Sequence, residues 1–390
     1  MSTAPKGFRF ATACAGFRKE GRADLALLVS DVPAVAAGTF TQNRFPAAPV
    51  LVAKAMLAER PAARAVVINS GQANACTGDE GMRNCRTTQE LVAGALGLEA
   101  SDILPASTGV IGAQLKMDLW EKAAPALAAN LGKATPEDFA RAIMTTDAFH
   151  KISHREVSLP GGVVKLVGMA KGAGMICPNM ATMLSVVLCD AQVEASVWQK
   201  MLRDAVELTF NRVTVDGDTS TNDMVEIMAS GLAGNAEITA PGPALDTFKA
   251  ALYDVMANLT RMLAKDGEGA TKLLVCEVTG AKSTAAAKLV AKAVIKSTLL
   301  KAAIFGADAN WGRVLCAIGY AGADVDVSKV DVNFRSNRGL IPVCRGGAGV
   351  AFSEETAKEI LMDDEITVQV ALNSGSATAK AWGCDLTYDY

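Results

Sequence analysis

Thr182 sits where a glycine-bearing loop, KGAGMICPNMAT (171–182), runs into an apolar stretch reaching Leu188. A threonine hydroxyl is a weak nucleophile unless a base lies beside it. One base that it can carry is its own α-amino group, freed when the preceding peptide bond breaks. Such an amine has a reference pKa of roughly 7.7–8, so a useful fraction is neutral near pH 7. This chemistry requires a cleavable bond, a small residue before the nucleophile and donors for an oxyanion. Ala181-Thr182 supplies the first two. On spacing alone, Thr182 reads first as a β-branched residue opening a strand.

Other chemistries are poorly provided for. His150 and His154 are the only histidines, in FHKISH, and read as surface or loop residues, with an i, i+4 spacing that a short helix would place on one side. Nine cysteines show no CxxC pair, HExxH is absent and no complete GxxxxGK[ST] exists. No metal is therefore expected. The odd cysteine count, with no apolar leader in MSTAPKGFRFATACAGF, points to a reducing cytoplasm. Acidic residues (41) outnumber basic ones (38), which gives no electrostatic basis for nucleic-acid binding, and no long uninterrupted apolar run predicts a membrane span.

Eight separated segments carry a resemblance. They are NSGQANACTG (69–78), ASTGVIG (106–112), MTTD (144–147), KGAGMICPNMATML (171–184), VDGDTSTND (215–223), DGEGATK (266–272), DANWGR (308–313) and WGCDLTYDY (382–390). In this order they resemble the ornithine acetyltransferases, also called glutamate N-acetyltransferases of arginine biosynthesis. The resemblance implies self-cleavage between Ala181 and Thr182, giving an α chain of 1–181 and a β chain of 182–390. It implies that Thr182 then takes the acetyl group of N-acetylornithine and passes it to glutamate, a ping-pong reaction through an acetyl-threonine. Thr108 and Gly109 match the family's oxyanion positions; Thr145, Lys171, Thr182 and Glu268 match its substrate-binding positions. A lysine suits a substrate carboxylate and a glutamate suits an ammonium. The resemblance further implies no cofactor, acetyl-CoA as a second acetyl donor in some members, and an α2β2 assembly.

Two departures accompany the match. Cys177 stands where histidine is common in the family, and it reads as a neighbour of the nucleophile rather than a reactive thiol. The sequence given ends at Tyr390, where family members continue into a short tail whose Asn and Thr contribute to the substrate site. Asp216, Asp218, Thr219 and Asn222 form a polar loop without an assigned role. Two rival readings stand beside the transferase. One is an N-terminal-nucleophile amidase or aminopeptidase, marked by acetate release without glutamate. The other is an uncleaved, non-enzymatic amino-acid-binding protein, marked by an intact chain.

The elements that must position these residues alternate between strand and helix. Ala65–Asn69 is an apolar run ended by Asn-Ser-Gly, a buried strand. Residues 244–264 place Leu245, Phe248, Leu252, Val255, Leu259 and Met262 at steps of three and four, an amphipathic helix. Strands are expected at 182–188, 272–278, 330–334 and 366–371, a helix over 285–299, and another beginning at Asp308–Asn310 with a polar cap. The expected fold is two-domain mixed α/β of the ornithine acetyltransferase type, with α and β chains interleaved.

Overall fold

The strand expected at 65–69 is apolar from Ala65 to Ile68 because both of its faces are covered. In the computed structural model, which describes residues 4–18, 21–177 and 183–390, it spans Ala62–Gln72. Val66 and Ile68 enter one apolar cluster and Ala65 and Val67 another, as the two-residue period of a strand dictates.

The chain divides into two units: Met1–Gly172, Pro178–Asn211 and Thr219–Leu259 form the first, and Ala173–Cys177, Arg212–Asp218 and Thr260–Tyr390 the second. Segments from both sides of the 181/182 bond thus enter both units. In the first unit the strands are β1 (Phe8–Ala13), β2 (Leu25–Phe40), β3 (Ala62–Gln72), β4 (Ile103–Val110), β5 (Lys151–Leu159), β6 (Gly162–Lys171), β7 (Leu184–Cys189) and β8 (Met224–Ala229). They form one sheet in the order β4-β3-β2-β8-β7-β6-β5, with β1 paired to β2. The β3–β4 and β7–β8 pairs are parallel and the others antiparallel.

The long β2 links the two ends of this sheet. Its first half pairs with β1 and β3, and its second half with β8. Ile68, Leu104 and Ala106 of β3 and β4 share a core with Val167 and Met169 of β6 and with Val186 and Leu188 of β7. The sheet therefore curls around that core, and strands distant in its order come close in space. The opposite face of β1–β4 is sealed by Val92 and Ala93 of the helix Gly78–Leu96 and by Trp120 and Leu127 of the helix Met117–Ala129. The helix expected at 244–264 spans Pro243–Lys265 and lies against β6. A Cβ at Gly168 would come within 2.7 Å of Val255 and 2.8 Å of Leu259, so this approach requires glycine.

The second unit contains β9 (Leu273–Ala281), β10 (Asp331–Ser336), β11 (Gly339–Arg345), β12 (Ala348–Gly349), β13 (Glu365–Ala371) and β14 (Ala377–Cys384), ordered β12-β11-β10-β13-β9-β14. Only β9 and β13 pair in parallel among these. The helix expected over 285–299 is two helices, Thr284–Lys296 and Thr298–Phe305. Ser297 turns to extended backbone, and its hydroxyl caps the second helix by accepting from Leu300 N at 3.3 Å. Asn310 caps the helix Trp311–Gly319 by accepting from Arg313 N.

The histidines do not share a helix. His154 lies exposed on β5, and His150 immediately precedes that strand. The β5–β6 hairpin pairs continuously from Lys151↔Ala170 to Leu159↔Gly162, and this ladder overrides the helical spacing. Among the described residues, no helix is long and apolar enough to cross a membrane.

Candidate active site

Thr108 and Gly109 lie at the end of β4, beside the end of β3, with Gly71 opposite Gly109. Gly109 has φ +134°, and a Cβ there would fall 2.2 Å from the Gly71 carbonyl carbon. No other residue fits this approach without moving β3. Polar side chains fix the same strand end. Ser107 Oγ donates to Asn69 Oδ1 at 2.6 Å, and Asn69 Nδ2 donates to Gln72 O at 2.9 Å. Asn222 Nδ2 donates to Ser107 O at 2.8 Å and to Ala73 O at 2.6 Å. Thr221 Oγ1 donates to Asn222 Oδ1 and orients that amide. Buried carbonyls are satisfied in this way, and the backbone at 107–109 is held in a set position.

Lys171 closes the curled sheet from its other end. At the last residue of β6, it points its Nζ at Thr108 Oγ1, 3.3 Å away across 63 residues of chain. Behind it lies a buried ionic group. Asp147 Oδ1 accepts from Lys151 Nζ at 2.6 Å and from Gly172 N at 2.6 Å, and its Oδ2 accepts from Thr145 N at 2.9 Å. Lys171 Nζ is 4.0 Å from the same carboxylate, and the Asp147 and Lys151 side chains are both fully shielded from solvent. Burial alone would raise the Asp147 pKa. The ammonium groups of Lys171 and Lys151, with the hydrogen bonds of Lys151 and Gly172, outweigh it and lower the value from 3.8 to about 2. Asp147 thereby ties together the Thr145 turn, the Lys171–Gly172 backbone and two lysines. The Thr145 carbonyl in turn accepts from the Arg18 and Arg22 guanidiniums at 2.9 and 3.1 Å.

At the start of β8, Asp223 is 1% exposed. The Ser220 and Thr41 hydroxyls, the Met183 backbone and the Lys171 ammonium all bear on its carboxyl, but burial dominates and drives its pKa well above the ordinary carboxylate range. Its Oδ2 has no hydrogen-bond partner among the described residues.

Within the second unit, Glu268 packs its carboxyl against Gly174, where a Cβ would meet the Glu268 carboxyl carbon at 2.6 Å. Glu268 N donates to Ala173 O at 2.9 Å. Asp216 organises the same short segment: it accepts from Met175 N at 2.5 Å, Ile176 N at 3.0 Å and Tyr390 Oη at 2.7 Å. Met175 is held there at φ +55°. The desolvated Tyr390 hydroxyl, facing Asp216, has its pKa pushed up.

The residues expected to act together are thus divided. Thr108, Gly109, Thr145 and Lys171 meet in the first unit through Asp147, whereas Glu268 belongs to the second. Ala181 and Thr182 lie outside the described residues. Their described neighbours are Cys177, which is buried, and Met183, whose carbonyl accepts from Met224 N at 3.0 Å. The unassigned polar loop also divides: Asp216 holds the 175–176 amides, the Thr219 carbonyl accepts from Asn43 Nδ2 at 2.8 Å, and Asn222 braces β4. Sequence reasoning missed Asp147, Lys151 and Asp223. A signal for the first pair was present in the Asp147/Lys151 spacing of four, and Asp223 closes the VDGDTSTND segment.

Known proteins resemble this chain along its whole length. The family model described as the ArgJ family matches residues 9–390. The arginine biosynthesis bifunctional protein ArgJ of Nitratidesulfovibrio vulgaris is 57% identical over 391 residues, covering 100% of this chain and 98% of that protein. The protein of the same description from Caldanaerobacter subterraneus subsp. tengcongensis is 46% identical over 386 residues, covering 99% and 95%. A crystal structure of arginine biosynthesis bifunctional protein argJ from Bacillus halodurans is 47% identical, covering 52% of this chain and 93% of that one, with a TM-score of 0.49.

Proposed function

This chain belongs to the ArgJ family, and we propose on that footing that it transfers the acetyl group of N-acetylornithine to glutamate. The match across residues 9–390, a range that contains every quoted segment, is the observation that carries this reading.

The precursor cuts itself between Ala181 and Thr182. The freed amine then serves as the base that draws the proton from Thr182 Oγ. The hydroxyl attacks the acetyl carbonyl of N-acetylornithine, ornithine leaves, and an acetyl-threonine remains. The amino group of glutamate attacks that ester and departs as N-acetylglutamate. Negative charge builds on the carbonyl oxygen in both steps. Thr108 and Gly109, locked at the end of β4, supply the donors that meet it, and one such donor is worth about 3–4 kcal/mol. Lys171, one hydrogen bond from Thr108, adds positive charge or receives a substrate carboxylate. Glu268 receives a substrate ammonium, and Thr145 takes part in binding. No metal or cofactor takes part. The description of the relatives as bifunctional supports acetyl-CoA as a second donor to the same threonine. The α and β chains stay associated as α2β2 in the cytoplasm.

Steady-state kinetics test the proposal. With N-acetylornithine and glutamate varied together, double-reciprocal lines are parallel, and labelled ornithine exchanges into N-acetylornithine without glutamate. Intersecting lines without exchange overturn it. Acetate released in the absence of glutamate, with no N-acetylglutamate in its presence, makes the protein a hydrolase instead.

A further inference from the structure

The first unit holds a cavity that the proposed cycle does not use. Its volume is about 490 Å³, and it lies between the residues just before β2, the helix Pro136–Ala142 and the turn that leads into β5. None of Thr108, Gly109, Thr145 and Lys171 lines it. Small-molecule sites in proteins are hollows of about 300–1,000 Å³, largely apolar, with a few polar groups that orient the ligand. Here Met144 and Phe149 belong to the apolar wall, and Arg22, Arg141, His150 and Asp138 are among the polar groups.

The Arg22 guanidinium meets only neutral carbonyls through hydrogen bonds printed by the fold: its Nη2 donates to Met144 O at 3.3 Å and to Thr145 O at 3.1 Å. Its Nε is buried without a hydrogen-bond partner among the described residues. Arg18 holds both carbonyls more closely, with Nη1 at 2.6 Å from Met144 O and Nη2 at 2.9 Å from Thr145 O. Arg22 can therefore turn toward an anion without leaving either carbonyl unpaired. Arg141 is available as well. Its side chain is 58% exposed, and its Nη1 sits 3.7 Å from Asp138 Oδ1, beyond hydrogen-bond length. Asp138 Oδ2 is engaged with Thr135 N and Oγ1, each at 2.9 Å. Two guanidiniums thus face one carboxylate that caps its own helix, and the cavity carries positive charge in excess. Phe149 lines the cavity while its ring lies over the Lys151 ammonium, with Nζ 5.1 Å from the ring centre. It is 37% exposed, which leaves ring surface for a ligand to cover.

We propose that this cavity is an effector site for a small aromatic carboxylate. The carboxylate seats between Arg22 and Arg141, because a guanidinium fork matches its two oxygens. The aromatic ring lies against Phe149 and Met144. Inorganic phosphate satisfies the charge but leaves that apolar wall in water. Binding draws Arg22 from the Thr145 carbonyl and leaves Arg18 alone to hold it, while Thr145 N stays tied to Asp147. An occupant thereby changes the setting of Thr145. This last step rests on the acetyl-transfer reading, in which Thr145 takes part in substrate binding; the binding itself does not.

Benzoate is the probe. Isothermal titration calorimetry of the purified wild-type protein is expected to show one saturable site with a Kd on the order of 1 mM. Benzamide, which has the shape without the charge, and inorganic phosphate, which has charge without the ring, should each bind at least about tenfold more weakly. Arg141→Gln, at an exposed helix position, should weaken benzoate about tenfold, and Lys171→Met should leave its affinity unchanged. The rate of acetyl transfer should change as benzoate is raised, with the same half-saturation, and that midpoint should move with the Kd in Arg141→Gln. Absence of benzoate binding overturns the site. So does binding that Lys171→Met abolishes and Arg141→Gln spares, which would put benzoate among the substrate-binding residues. Equal affinity for benzamide or phosphate overturns the aromatic carboxylate as the ligand, and benzoate that binds without changing the rate overturns the effector role. A protein with no transfer in the absence of benzoate fails the functional reading instead, and calorimetry then still decides the site.

Discussion

Replacing Thr182 by alanine is expected to leave one 390-residue chain and no acetyl transfer. The two losses share one cause in the proposed cycle, where the hydroxyl that attacks the Ala181 carbonyl in the precursor is the one that later carries the acetyl group. Alanine removes it without changing the neighbouring chain. Removing a nucleophile that acts in concert with its base costs on the order of 10⁶ in kcat, which places residual transfer at background. Thr182→Ser keeps a hydroxyl and the self-supplied amine, so it should still process and transfer at a reduced rate. Denaturing electrophoresis reads processing, and ornithine formation reads transfer. Two fragments from Thr182→Ala would show that another group cuts the chain.

The second large effect concerns Asp147. Its partners, Lys151 Nζ, Gly172 N and Thr145 N, are all donors. An asparagine in its place must turn its NH2 toward one of them in either orientation, and it takes away the buried carboxylate that lies 2.6 Å from Lys151 Nζ. Breaking a buried pair by removing one partner costs about 3–5 kcal/mol. Asp147→Asn should therefore lower unfolding stability by that amount in a urea titration and release Lys171 and Thr145 from their settings. The pH dependence follows from the direction of the shift. The folded pKa, about 2, lies below the unfolded value of 3.8. The contribution is thus complete above about pH 4 and disappears as pH falls toward 2, a loss of about 2 kcal/mol. The variant should lack this acid-sensitive component. A change below about 1 kcal/mol would mean that the ionic group does not organise the site.

Local patterns were legible where one element decides them. The period of 244–264 and the cap at Asn310 are properties of contiguous residues, and both helices form where read. The 285–299 period runs on across Ser297, whose turn to extended backbone leaves no break in the apolar spacing. The site was legible as motifs, but not as contacts. Thr145 was named and Asp147, two residues on, was not, because its role depends on Gly172, 25 residues away. Only the Lys151↔Ala170 register of the β5–β6 hairpin brings them together. Likewise 215–223 is one sequence segment, yet its first half serves the second unit and its second half the first. No periodicity announces such a division.

The most direct test of the account is the intact mass of the purified wild-type protein under denaturing conditions, with N-terminal sequencing of its fragments. Two species are predicted, residues 1–181 and 182–390, the second beginning Thr-Met-Leu-Ser. A single undivided chain that nevertheless transfers acetyl groups would contradict the claim that Thr182 works with an amine released by its own cleavage.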